Sequence, residues 1–262
     1  MSDESRALGN RGFNEQEAVF AIPFNDPGRY AIINLDFFEK TPEYYLSGAQ
    51  DIGVFGDNTT ITSVTQNYLG NATLPGTAEL VTGADDGDAV IMAPREVLGL
   101  GVPWTFRINR NTSWMVSFKC SAWGSNMNVQ AGGKASPLTV DPLVMTAGNG
   151  GPCFQAIGNA NMRLLWGLQG EIDIDTGVGN PGTGEVWSWF TAYYDAETSI
   201  LRVFADRALI YDQVVAPEIA VDDRAWVLGV QSTSASAKTF RVQHFVMAVS
   251  KYPQLTVEGV GL

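Results

Sequence analysis

The chain has 262 residues, 45% of them apolar, and a formal net charge of −12. That is enough apolar material for one sizeable core, and this length suits a single all-β unit. With 16 Lys and Arg against 28 Asp and Glu and no basic run, neutralising nucleic-acid phosphates or docking on an anionic membrane surface is excluded as a main role.

The opening MSDESRALGNRGFNEQEAVF (1–20) has no positively charged stretch followed by an apolar block, so no secretory signal is expected. No run approaches the roughly 18 apolar residues of a membrane span, so a soluble protein made in a cytosol is expected. Residues 1–50 carry the least regular pattern. NEQEAVF (14–20) and KTPEYYLSGAQDI (40–52) fit short helices. The segment 1–50 is read as an N-terminal arm or extension that binds a partner, with one domain over 51–262.

Beyond the arm, short β-like runs alternate with joints of Gly, Pro, Asn and Asp. TTITSVTQNY (59–68) is rich in Thr and β-branched residues. In GADDGDAV (83–90), Asp85, Asp86 and Asp88 share a turn. Calcium takes several such oxygens, but the EF-hand spacing with its downstream Glu is missing. An acidic surface turn is therefore expected, these three being the only calcium candidates, and no cofactor is expected. SWMVSFKCSAW (113–123) places Trp114, Val116, Phe118 and Cys120 on one side and Ser117, Lys119 and Ser121 on the other, the period-2 signature of a half-buried strand. PLVMTAG (142–148) and CFQAIG (153–158) read as strands flanking the Gly-rich GNGG. Cys120 and Cys153 are the two cysteines, too few for a disulfide framework or a cysteine-rich zinc site, and are expected as buried free thiols. The sequons at Asn58, Asn71 and Asn111 carry little meaning without a secretory route.

MRLLWG (162–167) leads into GEIDID (170–175), where a strand would put Glu171, Asp173 and Asp175 on one face. GVGNPG (177–182) matches G-x-G-x-x-G, but it holds Pro181 and runs into a strand-like EVWSWF, so it reads as a connection and not a phosphate loop. EVWSWFTAYYD (185–195) has aromatics on both faces, as in a strand covered on both sides, which assigns Trp187 and Trp189 to core packing. SILRVFADRALIYD (199–212) reads as a hairpin turning at Asp206–Arg207, and AWVLGVQS (225–232) and FRVQHFVMAVS (240–250) close the chain. His244, the one histidine, lies in that last apolar strand. No G-x-S-x-G elbow or neighbouring metal ligand accompanies it, so it reads as a sheet-face residue. Strands at roughly 8–12-residue spacing with turn signals between them argue for an antiparallel sandwich or barrel.

The EIDID stretch resembles the E-I-D-I-E signature of laminarinase- and lichenase-type β-glucanases. The resemblance implies Glu171 as nucleophile, Asp173 as its assistant and Asp175 at the acid/base position, where the family has Glu. An Asp is one methylene shorter, which opens the carboxyl separation toward that of inverting enzymes. WSWFTAYYDAETSILRVFADRALIYD is similar to concanavalin A-like and laminin-G-like jelly rolls, in which a W-h-x-h-x-Y-D strand runs into a hairpin with an Asp-Gly turn. Arg207 stands in place of that glycine. The implied fold is an all-β, antiparallel two-sheet jelly-roll sandwich, with Glu171 and the Trp187–Trp189 strand on its concave side.

Residues 65–252 are also similar to structural proteins of tailed bacteriophages that carry this sandwich, on a "G-a-D-D-x-d" turn and the VAPEIAVDD stretch (215–223). This implies a virion component, made in the host cytoplasm, that decorates a head or builds a tail or fibre. It would dock to other capsid or tail proteins as a homo-oligomer, often a trimer in such proteins, with host surface glycan bound at Trp187 and Trp189 as an added role. The alternatives are a retaining β-glucanase using Glu171 and Asp175, or a non-catalytic carbohydrate-binding module.

Overall fold

The computed structural model describes residues 30–36, 52–57, 77–94, 105–121, 123–135, 151–158, 160–167, 171–179, 186–216 and 222–250. Their regular structure is fifteen strands, with no helix among the described residues. Sheet A runs β1 (Tyr30–Asp36), β15 (Thr239–Ser250), β6 (Trp114–Ser121), β11 (Ser188–Asp195), β12 (Ile200–Ala205), β13 (Ala208–Val214), with β3 (Ala78–Val81) also paired to β15. Sheet B runs β10 (Ile172–Asp175), β9 (Arg163–Trp166), β8 (Cys153–Ile157), β7 (Met127–Ala135), β14 (Asp222–Ser232), β4 (Ala89–Pro94), β2 (Ile52–Asp57), with β5 (Thr105–Ile108) also paired to β14. Every pairing is antiparallel. The expected all-β two-sheet jelly-roll sandwich is the architecture observed.

Period-2 alternation builds the core, because successive side chains of a strand leave on opposite faces. Trp114, Val116, Phe118 and Cys120 of β6 and Phe190, Ala192 and Tyr194 of β11 point inward from sheet A. Sheet B answers with Phe154, Leu164, Trp166 and Trp226. Phe118 meets Phe154 across the sandwich at 5.4 Å, Trp114 meets Trp166 at 4.9 Å, and Trp226 meets Phe245 at 5.8 Å. Both cysteines are buried and free. Burial pushes the Cys153 thiol up to about 12.

The hairpin turn at Asp206 (φ 46°) and Arg207 (φ 71°) has positive φ at both central residues, the primed turn that matches strand twist, and it forms without glycine. Strand β1 lies inside the stretch read as an arm and pairs along its whole length with β15, Tyr30 opposite Ser250. The expected helix at 14–20, most of that at 40–52, the strands at 59–68 and 142–148, and Asn58 and Asn71 lie outside the described residues. No helix among the described residues is long and apolar enough to cross a membrane.

Candidate functional site

The acid row and the tryptophan strand, which the sequence placed on one concave side, lie on different sheets. Strand β10 ends sheet B, and β11 sits inside sheet A. Ile172 and Ile174 pack against the core while Asp173 and Asp175 are exposed on the other face. There the register sets Asp175 opposite Arg163 and Asp173 opposite Leu165. The Arg163 guanidinium reaches both carboxylates, at 2.7 Å to Asp173 and 3.4 Å to Asp175. Asp175 Oδ1 also accepts the Gly177 amide at 2.8 Å and the Asn161 side-chain amide at 2.9 Å. The Gly177 amide first, then Asn161 and Arg163, hold the Asp175 carboxyl below its ordinary range. A general acid in glycoside hydrolysis needs the reverse, a raised pKa from burial. Glu171 lies just before β10 with its carboxylate over Gly167, where a Cβ would collide with it.

Trp187 and Trp189 are not in the core, contrary to the packing expected for them. Core positions of β11 alternate through Phe190, Ala192 and Tyr194, which leaves Trp189 on the outer face of sheet A, 37% exposed. Its indole is not loose. Nε1 donates to Ser117 Oγ at 2.8 Å, and that hydroxyl lies 2.9 Å from Thr191 Oγ1. The backbone at Trp189 is clasped to the β12–β13 turn: its N–H donates to Asp206 Oδ1 at 2.8 Å, and its carbonyl accepts the Asp206 N–H at 2.8 Å.

The register then brings in partners that local pattern could not find. Trp189 is opposite Lys119, and Lys119 is opposite His244. The Lys119 ammonium sits 5.6 Å from the centroid of the half-buried Trp187 ring, within cation–π range. The Trp189 and His244 rings are 5.8 Å apart, tilted 47°. His244 is thus a sheet-face residue, as expected, but one beside the exposed tryptophan. The sequence did hold a signal for Lys119, since the alternation of β6 puts it on the polar side. Nothing in it specified which strand would lie alongside.

The other candidates are structural in their contacts. Asp88 is 4% exposed and its Oδ2 accepts the Asp85 N–H at 3.1 Å, closing its own turn, while Asp85 and Asp86 are exposed. Among the described residues no group of three or more His, Cys, Asp or Glu is placed to hold a metal ion. On the outer face of sheet B, Gln130 is 1% exposed and neither atom of its amide has a hydrogen-bond partner among the described residues.

No family profile matches the sequence, and no curated protein matches it. Solved structures do match in fold. The chain is similar to the Emp47p carbohydrate recognition domain, with TM-score 0.53 and 10% identity over 85% of this chain and 97% of that one. It is similar to the Emp46p carbohydrate recognition domain in its potassium-bound form, with TM-score 0.50 and 8% identity over 81% and 94%. Peanut lectin matches with TM-score 0.45 and 11% identity over 84% and 97%. The first two share its two-sheet β-sandwich fold.

Proposed function

We propose that this chain is a carbohydrate-binding β-sandwich protein that takes a saccharide on the outer face of sheet A, at Trp187 and Trp189. The observation that carries the reading is Trp189: 37% exposed, yet fixed at its indole N–H by Ser117 and at its backbone by Asp206. An apolar ring held rigid at the surface offers the C–H face of a pyranose a stacking partner at low entropic cost, and the adjoining Lys119 and His244 supply polar handles. That the Emp46p and Emp47p domains sharing the fold are described as carbohydrate recognition domains supports the reading.

The test is a glycan array followed by calorimetry on the best ligand. Trp189→Ala is expected to weaken binding by about ten- to a hundredfold, about 1.4–2.7 kcal/mol, the size of a stacking hot spot. Binding unchanged in Trp189→Ala overturns the site.

A β-glucanase reading finds less support, because Asp175 is stabilised as its carboxylate by Gly177, Asn161 and Arg163. Laminarin and lichenan are expected to yield no reducing ends with the wild type. Turnover that disappears in Glu171→Gln contradicts this. A virion setting, in which such a platform meets a host glycan, rests on the sequence resemblance to phage structural proteins alone.

A further inference from the structure

The charges around the platform point to a ligand class. The chain is strongly acidic, and on this face Asp36 lies opposite His244 in the register while four further carboxylates accept from named donors. Asp206 accepts from the Trp189 N–H, Asp212 pairs with Arg202 at 3.4 Å, and Glu79 pairs with Arg241 at 2.7 Å. Asp195 accepts from the Glu197 amide and the Thr198 hydroxyl. Two cations on this face stand outside those two ion pairs. Lys119 rests against the Trp187 ring, and no described carboxylate pairs with it. Arg207 is exposed in the turn clasped to Trp189, likewise without a described ion-pair partner.

Arg207 is also in the wrong backbone region for its type. At φ 71° it occupies the left-handed region, where glycine is favoured and a β-carbon is strained. A glycine there would serve the hairpin better. A strained residue carrying a charge in the turn that Asp206 clasps to Trp189 fits retention for that charge.

We propose that the platform recognises an anionic saccharide, a pyranose bearing a carboxylate or sulfate. The sugar face stacks on Trp189, and the anion meets Lys119 and Arg207. The site rests on the carbohydrate reading above and narrows it to a ligand class. The net charge of −12 does not forbid this, since at physiological salt charges beyond about 8 Å are largely screened.

Calorimetry on matched pairs tests it: sialyllactose against lactose for the carboxylate, and a heparin-derived hexasaccharide against its desulfated, N-acetylated counterpart for the sulfate. The expected result is that the acidic member of one pair binds at least tenfold tighter and that 0.5 M NaCl removes most of the difference. Lys119→Gln should cut the preference to threefold or less. Arg207→Gly should also weaken the preference while melting no lower than the wild type, which separates lost recognition from lost folding. Equal binding of acidic and neutral members, lost in Trp189→Ala, overturns the anionic class and leaves the carbohydrate platform standing. A preference that survives both substitutions places the anion elsewhere and overturns the proposal. Binding of no member of either pair overturns the anionic class, while the platform stands or falls with the glycan array and Trp189→Ala.

Discussion

Arg207 and Gln130 each break a local rule of folding, and each break can be measured. For Arg207 the strained φ predicts that Arg207→Gly raises stability by about 0.5–1 kcal/mol, read as a higher urea midpoint at unchanged slope. The sequence alone puts the turn at the right pair of residues. It could not show that an arginine would accept the glycine conformation, because the clasp to Trp189 that fixes the turn comes from the neighbouring strand β11, outside the hairpin. Gln130 is buried with an unpartnered amide among the described residues, which costs about 1–3 kcal/mol. Gln130→Leu keeps the volume and removes the polar group, so a melting temperature higher by a few degrees is expected, and a lower one means that the amide has a partner. Trp189 was legible as an aromatic in a strand. Its exposure was not, since EVWSWFTAYYD reads equally well as covered on both faces.

At the scale of elements, strands with clean alternation were readable in place. The SWMVSFKCSAW pattern became β6 and GEIDID became β10. Strand β7 was not readable, because its Gly132–Gly133–Lys134 run has poor strand propensity. Close approach explains those glycines: a β-carbon at Gly132 would come within 2.5 Å of the Pro152 carbonyl oxygen, and β7 is held between β8 and β14 on both sides. The β9–β10 edge has its own signature in pH. The Asp175 carboxyl sits below its ordinary range in the fold, so its contribution is present above about pH 4 and is lost as pH falls through the lowered value. Asp175→Asn should therefore melt slightly below wild type at pH 7, with the gap closing as pH falls in scanning calorimetry. The gap is small because the group is exposed.

At the scale of the molecule, fold class followed from strand number, spacing and turn chemistry, while the distribution of strands between sheets did not. Strands β10 and β11 are consecutive in the chain yet lie in opposite sheets, so the acids and tryptophans that looked like one site face away from each other. Only long-range pairing decides that. Phe118, fully buried, stacks on Phe190 of its own sheet and meets Phe154 of the other at 5.4 Å each. Phe118→Ala should cost about 3–5 kcal/mol, a large share of the 5–15 typical of a whole domain, measured by urea unfolding. The central claim is that a saccharide sits on the outer face of sheet A. Hydrogen–deuterium exchange with the best-binding glycan tests that directly: slowed exchange is predicted in 186–190 and 205–208, with β9 and β10 unchanged. Protection confined to β9 and β10, or absent from both regions with ligand saturating, contradicts it.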